Sequence, residues 1–139
     1  MGWRAWIIPS ACSVLIAAAS TATLLLLRHP GAVGCPGAAV NSVIDCRAVV
    51  TSQFGHVLGM PLGFWALVWL VGMWIWLWQS RRVPIPVWPV LGFLGVAYAI
   101  GSEIRLEHIC VWCSMDQLGI VALALWSIVA GRNRRMRGV

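Results

Sequence analysis

Four stretches of this sequence each run for about twenty residues with almost no charge, at positions 5–27, 61–80, 83–102 and 109–130. A helix needs about 20 mostly apolar residues to cross a bilayer, and in lipid only helices or closed barrels satisfy every backbone polar group. The one charged residue inside these stretches is Asp116, in the fourth. The pattern predicts an all-α integral membrane protein, with residues 1–139 forming a single four-helix transmembrane bundle.

The composition supports this class of protein. Hydrophobic residues make up 60% of the chain and charged residues 10%, against roughly 25% charged residues in an ordinary soluble domain. This balance excludes a disordered chain, a coiled coil and a soluble enzyme. The net charge of +6 comes from arginines at the ends of the apolar stretches, which is typical of membrane topology signals. We therefore expect the chain to be embedded in a lipid bilayer and not to bind nucleic acid.

The arginines also predict the orientation of the bundle. With four helices, both termini and the turn near residue 81 share one side, which has seven arginines; the other side has three, Arg28, Arg47 and Arg105. Cytoplasmic loops have the excess of positive charge, so we expect both termini in the cytoplasm and a long outer loop at 28–60. The first apolar run is longer than the core of a signal peptide, which predicts a retained helix. Short loops and arginine-only basic residues favour a bacterial plasma membrane over the endoplasmic reticulum.

Four of the five cysteines fall on the outer side of this topology. Cys35 and Cys46 lie in the long loop, and Cys110 and Cys113 form a C-x-x-C motif where the fourth helix starts. Disulfides persist on the oxidising side of a membrane. The fifth cysteine, Cys12, lies inside the first helix near the cytoplasmic face, where we expect it to be a packing residue.

The C-x-x-C spacing suits reversible thiol chemistry. Two cysteines three residues apart face each other on the first turn of a helix, and the helix N-terminus stabilises a thiolate there. One alternative is a structural disulfide. Another is a zinc site that includes further Cys and His residues of the outer side, drawn from Cys35, Cys46, His56 and His108. A zinc site does not explain why the dithiol lies against an apolar bundle, and two cysteine pairs at the mouth of one four-helix bundle favour redox chemistry.

Two segments resemble the vitamin K epoxide reductase family. Cys46 is followed six residues later by Ser52 and then by a Phe-Gly pair, as in the loop signature of that family. The Cys110-Val-Trp-Cys113 segment resembles the C-x-x-C at the start of the family's last core helix. Four helices with a long loop between the first two agree with the family core. The chain is therefore similar to a bacterial-type member without a fused thioredoxin domain.

The resemblance implies a membrane thiol–quinone oxidoreductase. It makes Cys35 and Cys46 the shuttle pair of the loop, which takes electrons from a separate thioredoxin-like protein outside the cytoplasm. Cys110 and Cys113 are then the quinone-side pair, and Ser52 is a loop residue near the active site. The resemblance implies a membrane quinone as the cofactor, such as menaquinone, ubiquinone or a vitamin K-like compound, and no metal.

Two residues of the fourth stretch, Gln117 and Trp112, are further candidates for the quinone site, and a third, Asp116, is a functional candidate whose role is left open. Gln117 lies one helical turn after Cys113, where vertebrate members of the family have a tyrosine, and can donate a hydrogen bond to a quinone carbonyl or to a neighbouring helix. We expect Trp112 near the quinone. Asp116 is an ionisable residue inside a membrane segment, which makes it a functional candidate that would either relay protons or pair with an arginine.

Thiolate attack on a disulfide proceeds through mixed disulfides, which predicts an order for the four cysteines. The partner would attack Cys35, Cys46 would then attack Cys110, and Cys113 would face the quinone. We expect Cys110 to be the more exposed of the C-x-x-C pair because it lies nearer the start of the helix.

Two other classes of membrane protein are alternatives. A four-helix thiol oxidase of the bacterial disulfide-bond-formation type also uses two cysteine pairs, but its C-x-x-C lies in the first outer loop. A small four-helix drug exporter needs a carboxylate in the middle of its first helix, and the stretch at 5–27 has none. The position of the C-x-x-C motif and the lack of a carboxylate in the first stretch favour the vitamin K epoxide reductase family over these two classes.

Overall fold

The structure, a computed structural model, describes residues 4–79 and 86–137. Its elements are α1 (Arg4–Arg28), α2 (Cys46–Thr51), a 3₁₀ turn (Gln53–Gly55), β1 (His56–Val57), β2 (Met60–Pro61), α3 (Leu62–Gln79), α4 (Val87–Leu106) and α5 (Val111–Arg137). The four long helices, α1, α3, α4 and α5, are long and apolar enough to cross a membrane. The predicted four-helix membrane bundle is thereby confirmed.

Helix α5 continues past its predicted end at residue 130 to Arg137, and the outer end of α4 also differs from the prediction. Helix α4 continues past the predicted end at residue 102 and stops at Leu106, where Glu107 takes a left-handed backbone conformation with φ of 56°. Charged residues end an apolar run, but Glu103 and Arg105 do not end the helix, because Glu and Arg are good helix formers. The outer connection between α4 and α5 is therefore shorter than predicted. The predicted start of this helix at residue 83, and the turn before it, lie outside the described residues.

The bundle is held together by close contacts between α1 and α5. Ile16 of α1 and Leu123 of α5 are fully buried in its core, together with Met73 of α3. A Cβ atom at Gly119 would lie 2.6 Å from the side chain of Ile16. Small residues let membrane helices approach closely, so a glycine at this position is needed for α1 and α5 to pack as they do.

Helices α3 and α4 are joined by a reciprocal pair of tryptophans. The indole N–H of Trp69 donates to the backbone carbonyl of Trp88 at 3.0 Å, and the indole N–H of Trp88 donates to the carbonyl of Trp69 at 2.8 Å. Each ring occupies the space above a glycine of the opposite helix, Gly92 for Trp69 and Gly72 for Trp88. These two tryptophans are therefore packing residues of the bundle.

The outer loop folds back over the end of the bundle. Its short helix α2 starts at an N-cap, Asp45, whose side chain accepts a hydrogen bond from the N–H of Ala48 at 2.9 Å. The apolar residues of segment 42–58 predict a short helix on the surface of the bundle; α2 and the 3₁₀ turn cover only part of this segment. The chain after the 3₁₀ turn forms the hairpin β1–β2. Leu58 and Gly59 at its turn both have positive φ angles, as two-residue hairpin turns require.

Candidate functional site

The first cysteine pair is present as a disulfide bond between Cys35 and Cys46. Cys46 starts α2 and is fully buried, whereas Cys35 lies in the preceding loop and is partly exposed. The backbone N–H of Cys46 also donates to the Cys35 sulfur at 3.2 Å. Because both sulfurs are joined to each other, they are not free to be zinc ligands, and among the described residues no three or more His, Cys, Asp or Glu side chains form a group that could hold a metal ion.

A short backbone pairing brings this disulfide to the C-x-x-C motif. Ile44 and Ile109 form a parallel bridge, in which the N–H of Ile109 donates to the carbonyl of Val43 at 2.9 Å and the N–H of Asp45 donates to the carbonyl of Ile109 at 3.2 Å. Cys46 directly follows Asp45, and Cys110 directly follows Ile109. Cys46 and Cys110 consequently lie in one buried apolar cluster, with Leu26, Val49 and Val50.

The second cysteine pair lies at the start of α5. The backbone N–H of Cys113 donates to the sulfur of Cys110 at 3.2 Å, and the two side chains are in contact. Our prediction that Cys110 is the more exposed member is wrong, because Cys110 is 0% exposed while Cys113 is partly exposed. The pairing at Ile109 and the overlying α2 bury Cys110, whereas Cys113, one turn further along, faces an internal cavity.

This cavity has a volume of about 240 Å³ and lies between the four long helices, beneath α2 and the turn at Gly55. Most of its wall is apolar, with side chains that include Val50, Trp65, Trp69, Leu91, Val96 and Ile120. Its polar groups come from α1 and from one face of α5, and they are Thr23, Cys113, Asp116 and Gln117. The volume is close to the lower end of the range of small-molecule pockets, about 300–1,000 Å³.

Gln117 and Asp116 both line this cavity, and each is bonded to a neighbouring helix. The side-chain amide of Gln117 donates to Glu103 of α4 at 3.3 Å. The hydroxyl of Ser20 on α1 is 3.0 Å from each carboxyl oxygen of Asp116. In the part of the chain that the structure describes, Asp116 is therefore bonded to a buried hydroxyl and to no arginine. The interhelical bond expected as one role of Gln117 is present, and its position in the cavity wall also leaves it available to a ligand.

Two of the predicted site residues, Trp112 and Ser52, are not in the wall of the cavity. Trp112 does not line the cavity as we expected; its indole N–H donates to the carbonyl of Gly34 at 3.0 Å, because it lies on the side of α5 that faces the outer loop. The hydroxyl of Ser52 donates to the carbonyl of Val49 at 2.7 Å and accepts from the N–H of Gly55 at 3.0 Å. Ser52 thus holds the turn that covers the cavity.

Sequence reasoning missed Ser20 and Glu103 as residues of the site. Ser20 lies in an apolar stretch, where a small hydroxyl gives no signal of its own, and only the packing of α1 on α5 reveals its partner. Glu103 follows the predicted end of the third apolar stretch at residue 102 and was therefore expected in the short outer connection to the fourth, but it lies in α4, bonded to Gln117 and against the backbone N–H of Cys110. The available signal was its charge at the outer end of the third stretch, where it can reach the polar residue Gln117 of the fourth stretch.

The chain was then compared with known proteins. A family model described as the vitamin K epoxide reductase family matches residues 5–128, which include both cysteine pairs and all the polar residues of the cavity. No curated protein and no solved structure gives a match. The matched residues cover most of the chain.

Proposed function

Because the chain belongs to the vitamin K epoxide reductase family, we propose that it transfers electrons from a thioredoxin-like dithiol partner to a membrane quinone and so supports disulfide-bond formation. The observation that supports this most directly is the position of Cys113, whose side chain contacts Cys110 and also lines the apolar cavity. A dithiol that faces an apolar cavity within a membrane bundle is suited to an electron acceptor that is itself dissolved in the bilayer.

The residues of the cavity fit a quinone. Its apolar wall suits a hydrophobic ring and part of an isoprenoid tail, and the amide of Gln117 can donate a hydrogen bond to a carbonyl oxygen. A quinone supplies the capacity to accept two electrons and two protons. The apolar wall is compatible with menaquinone, ubiquinone or a vitamin K-like compound, which differ in their ring substituents.

The order of disulfide exchange follows from the burial of the four cysteines. The partner's thiolate attacks Cys35, which is partly exposed, and releases Cys46, which is fully buried beside Cys110. Cys46 then attacks Cys110 in the oxidised C-x-x-C pair and releases Cys113. The partner's second thiol frees Cys35, and Cys35 attacks Cys46. This restores the loop disulfide and leaves Cys110 and Cys113 reduced.

The surroundings of the protein belong to the same proposal. The protein is a multi-pass membrane protein by its four spanning helices and its family. We propose the bacterial plasma membrane, with both termini in the cytoplasm and the cysteine pairs outside it, because seven of the ten arginines lie on the side of the termini. The partner is a separate thioredoxin-like protein on the outer side. Family membership favours this function over the two alternatives, an unrelated four-helix thiol oxidase and a drug exporter.

The test is quinone reduction by the purified protein in lipid nanodiscs, with a reduced thioredoxin-like protein as the electron donor. Quinol formation should be lost in Cys113→Ser and retained in Cys12→Ser, a matched change at a cysteine of α1 that is remote from both pairs. In Cys35→Ala, a Cys46–Cys110 bridge should accumulate and be found by non-reducing peptide mapping. Quinol formation by Cys113→Ser at the wild-type rate would disprove the proposed function.

A further inference from the structure

The carboxyl group of Asp116 is a polar group of the cavity with no role in the exchange of disulfides. It is 7% exposed, and its described hydrogen-bond donor is the fully buried hydroxyl of Ser20. An ionisable side chain inside a membrane bundle is costly to bury, and one that is kept there is usually functional. Of the two carboxyl groups near the dithiol, only this one lines the cavity.

The other nearby carboxyl group, that of Glu103, is occupied differently. It accepts the amide hydrogen bond of Gln117 and lies against the backbone N–H of Cys110, at the start of α5. These contacts fit a side chain that holds Cys110 and Gln117 in position by hydrogen bonds. The arrangement leaves the carboxyl of Asp116 as the group that faces a ligand in the cavity.

We propose, on the basis of the function proposed above, that Asp116 is a catalytic residue that carries a proton from the Cys113 thiol to a quinone oxygen. Asp116 follows Cys113 by three residues on α5, so the two side chains lie on the same face of the helix, and both line the cavity. The hydroxyl of Ser20 reaches both carboxyl oxygens and can stay hydrogen-bonded whichever oxygen holds the proton.

The reaction balances with Asp116 unchanged at its end. Two S–H bonds break, one S–S bond forms between Cys110 and Cys113, and two O–H bonds form on the quinone oxygens. The two electrons of the dithiol reduce the ring. Asp116 takes up one of the two protons and gives one up, so a side chain that cannot hold an exchangeable acid proton should slow the reaction without altering quinone binding.

The experiment compares Asp116→Asn with wild type and with Glu107→Gln, a matched carboxyl-to-amide change at an exposed residue that ends α4. The asparagine retains an oxygen that can accept from Ser20, so the fold should be kept. Quinone affinity is measured at equilibrium by quenching of tryptophan fluorescence, since Trp65 and Trp69 line the cavity. Oxidation of the C-x-x-C dithiol by quinone is followed in a single turnover by thiol trapping.

For Asp116→Asn we expect quinone affinity within about two-fold of wild type and dithiol oxidation slowed by about 10²–10⁴-fold, the usual contribution of a general acid or base. Added formate, a small carboxylic acid, should restore part of the rate, and Glu107→Gln should match wild type. An unchanged rate in Asp116→Asn, or a parallel loss of affinity and rate that formate does not restore, would overturn the assignment. Absence of quinone reduction by wild type would overturn the proposed function, and the inference with it.

Discussion

Replacing Gly55 by alanine tests how tightly the turn over the cavity is packed. A Cβ atom at this position would lie 2.7 Å from the carbonyl oxygens of both Val49 and Val50. These oxygens belong to the backbone, so no side-chain rotation can move them away. The N–H of Gly55 is also bonded to Ser52 at 3.0 Å, which prevents the turn from moving outward freely. We therefore expect Gly55→Ala to lower the free energy of unfolding by about 1–3 kcal/mol, the typical cost of overpacking.

The control for this prediction is Gly95→Ala, the same chemical change in the same cavity wall. A Cβ atom at Gly95 meets no atom within 4 Å, and the residue lies inside α4. Alanine there should be neutral or should stabilise the helix by about 0.5–1 kcal/mol. Both variants are unfolded in the same mixed micelles by increasing the fraction of a denaturing detergent, with the loop disulfide intact.

At 1–3 kcal/mol, Gly55→Ala should change the unfolding equilibrium constant by about 5- to 150-fold. Because Gly55 lies in the turn that follows α2, the displaced backbone should also slow quinone reduction. A Gly55→Ala protein as stable as both wild type and Gly95→Ala would refute the reasoning, since the two carbonyl oxygens would then have room to move at no cost.

Three further measurements test the orientation, the cavity and the bundle. A reporter active only outside the cytoplasm should work when fused after Gly37 and fail after Arg82, and activity after Arg82 would contradict the orientation. Gln117→Leu should raise the apparent KM for quinone several-fold, since a hydrogen bond is worth about 0.5–1.5 kcal/mol; an unchanged KM would leave Gln117 as a structural residue. Trp88→Phe removes the N–H that donates to the carbonyl of Trp69 and should reduce stability by about 1 kcal/mol. Wild-type stability in that variant would show that this bond contributes nothing.

The four helices could be predicted because each spanning helix requires a long apolar run. The prediction failed at the outer end of α4, because the run ends where charges begin while the helix ends where the backbone changes conformation, at Glu107. An apolar run marks the part of the chain that lies inside the membrane, but it does not mark the residue at which the helix ends. The misplaced boundary had a consequence for the site, since it put Glu103 in a loop and hid its contact with Gln117.

The predicted arrangement of the cysteines was correct for the loop pair and wrong for the exposure of the C-x-x-C pair. The resemblance implied that Cys35 and Cys46 pair, and they are joined in the structure. The burial of Cys110 depends on a backbone pairing between Ile44 and Ile109, which are separated in the sequence by two membrane-spanning helices, α3 and α4. Position along one helix gives no information on such a contact, because the covering atoms come from another part of the chain.

The burial of Cys110 has a consequence for the selectivity of the proposed reaction. If Cys110 were exposed at the helix start, as its sequence position suggests, any thiol outside the membrane could reduce the C-x-x-C pair directly. With Cys110 and Cys46 in one buried cluster, an external thiol would meet Cys35 first in the proposed reaction, and electrons would pass inward through Cys46. The hydrogen bonds at Ile109 bring the two pairs together. Partner choice would then be decided at Cys35, whereas acceptor choice would be decided in the cavity, where Cys113, Asp116 and Gln117 meet an apolar wall.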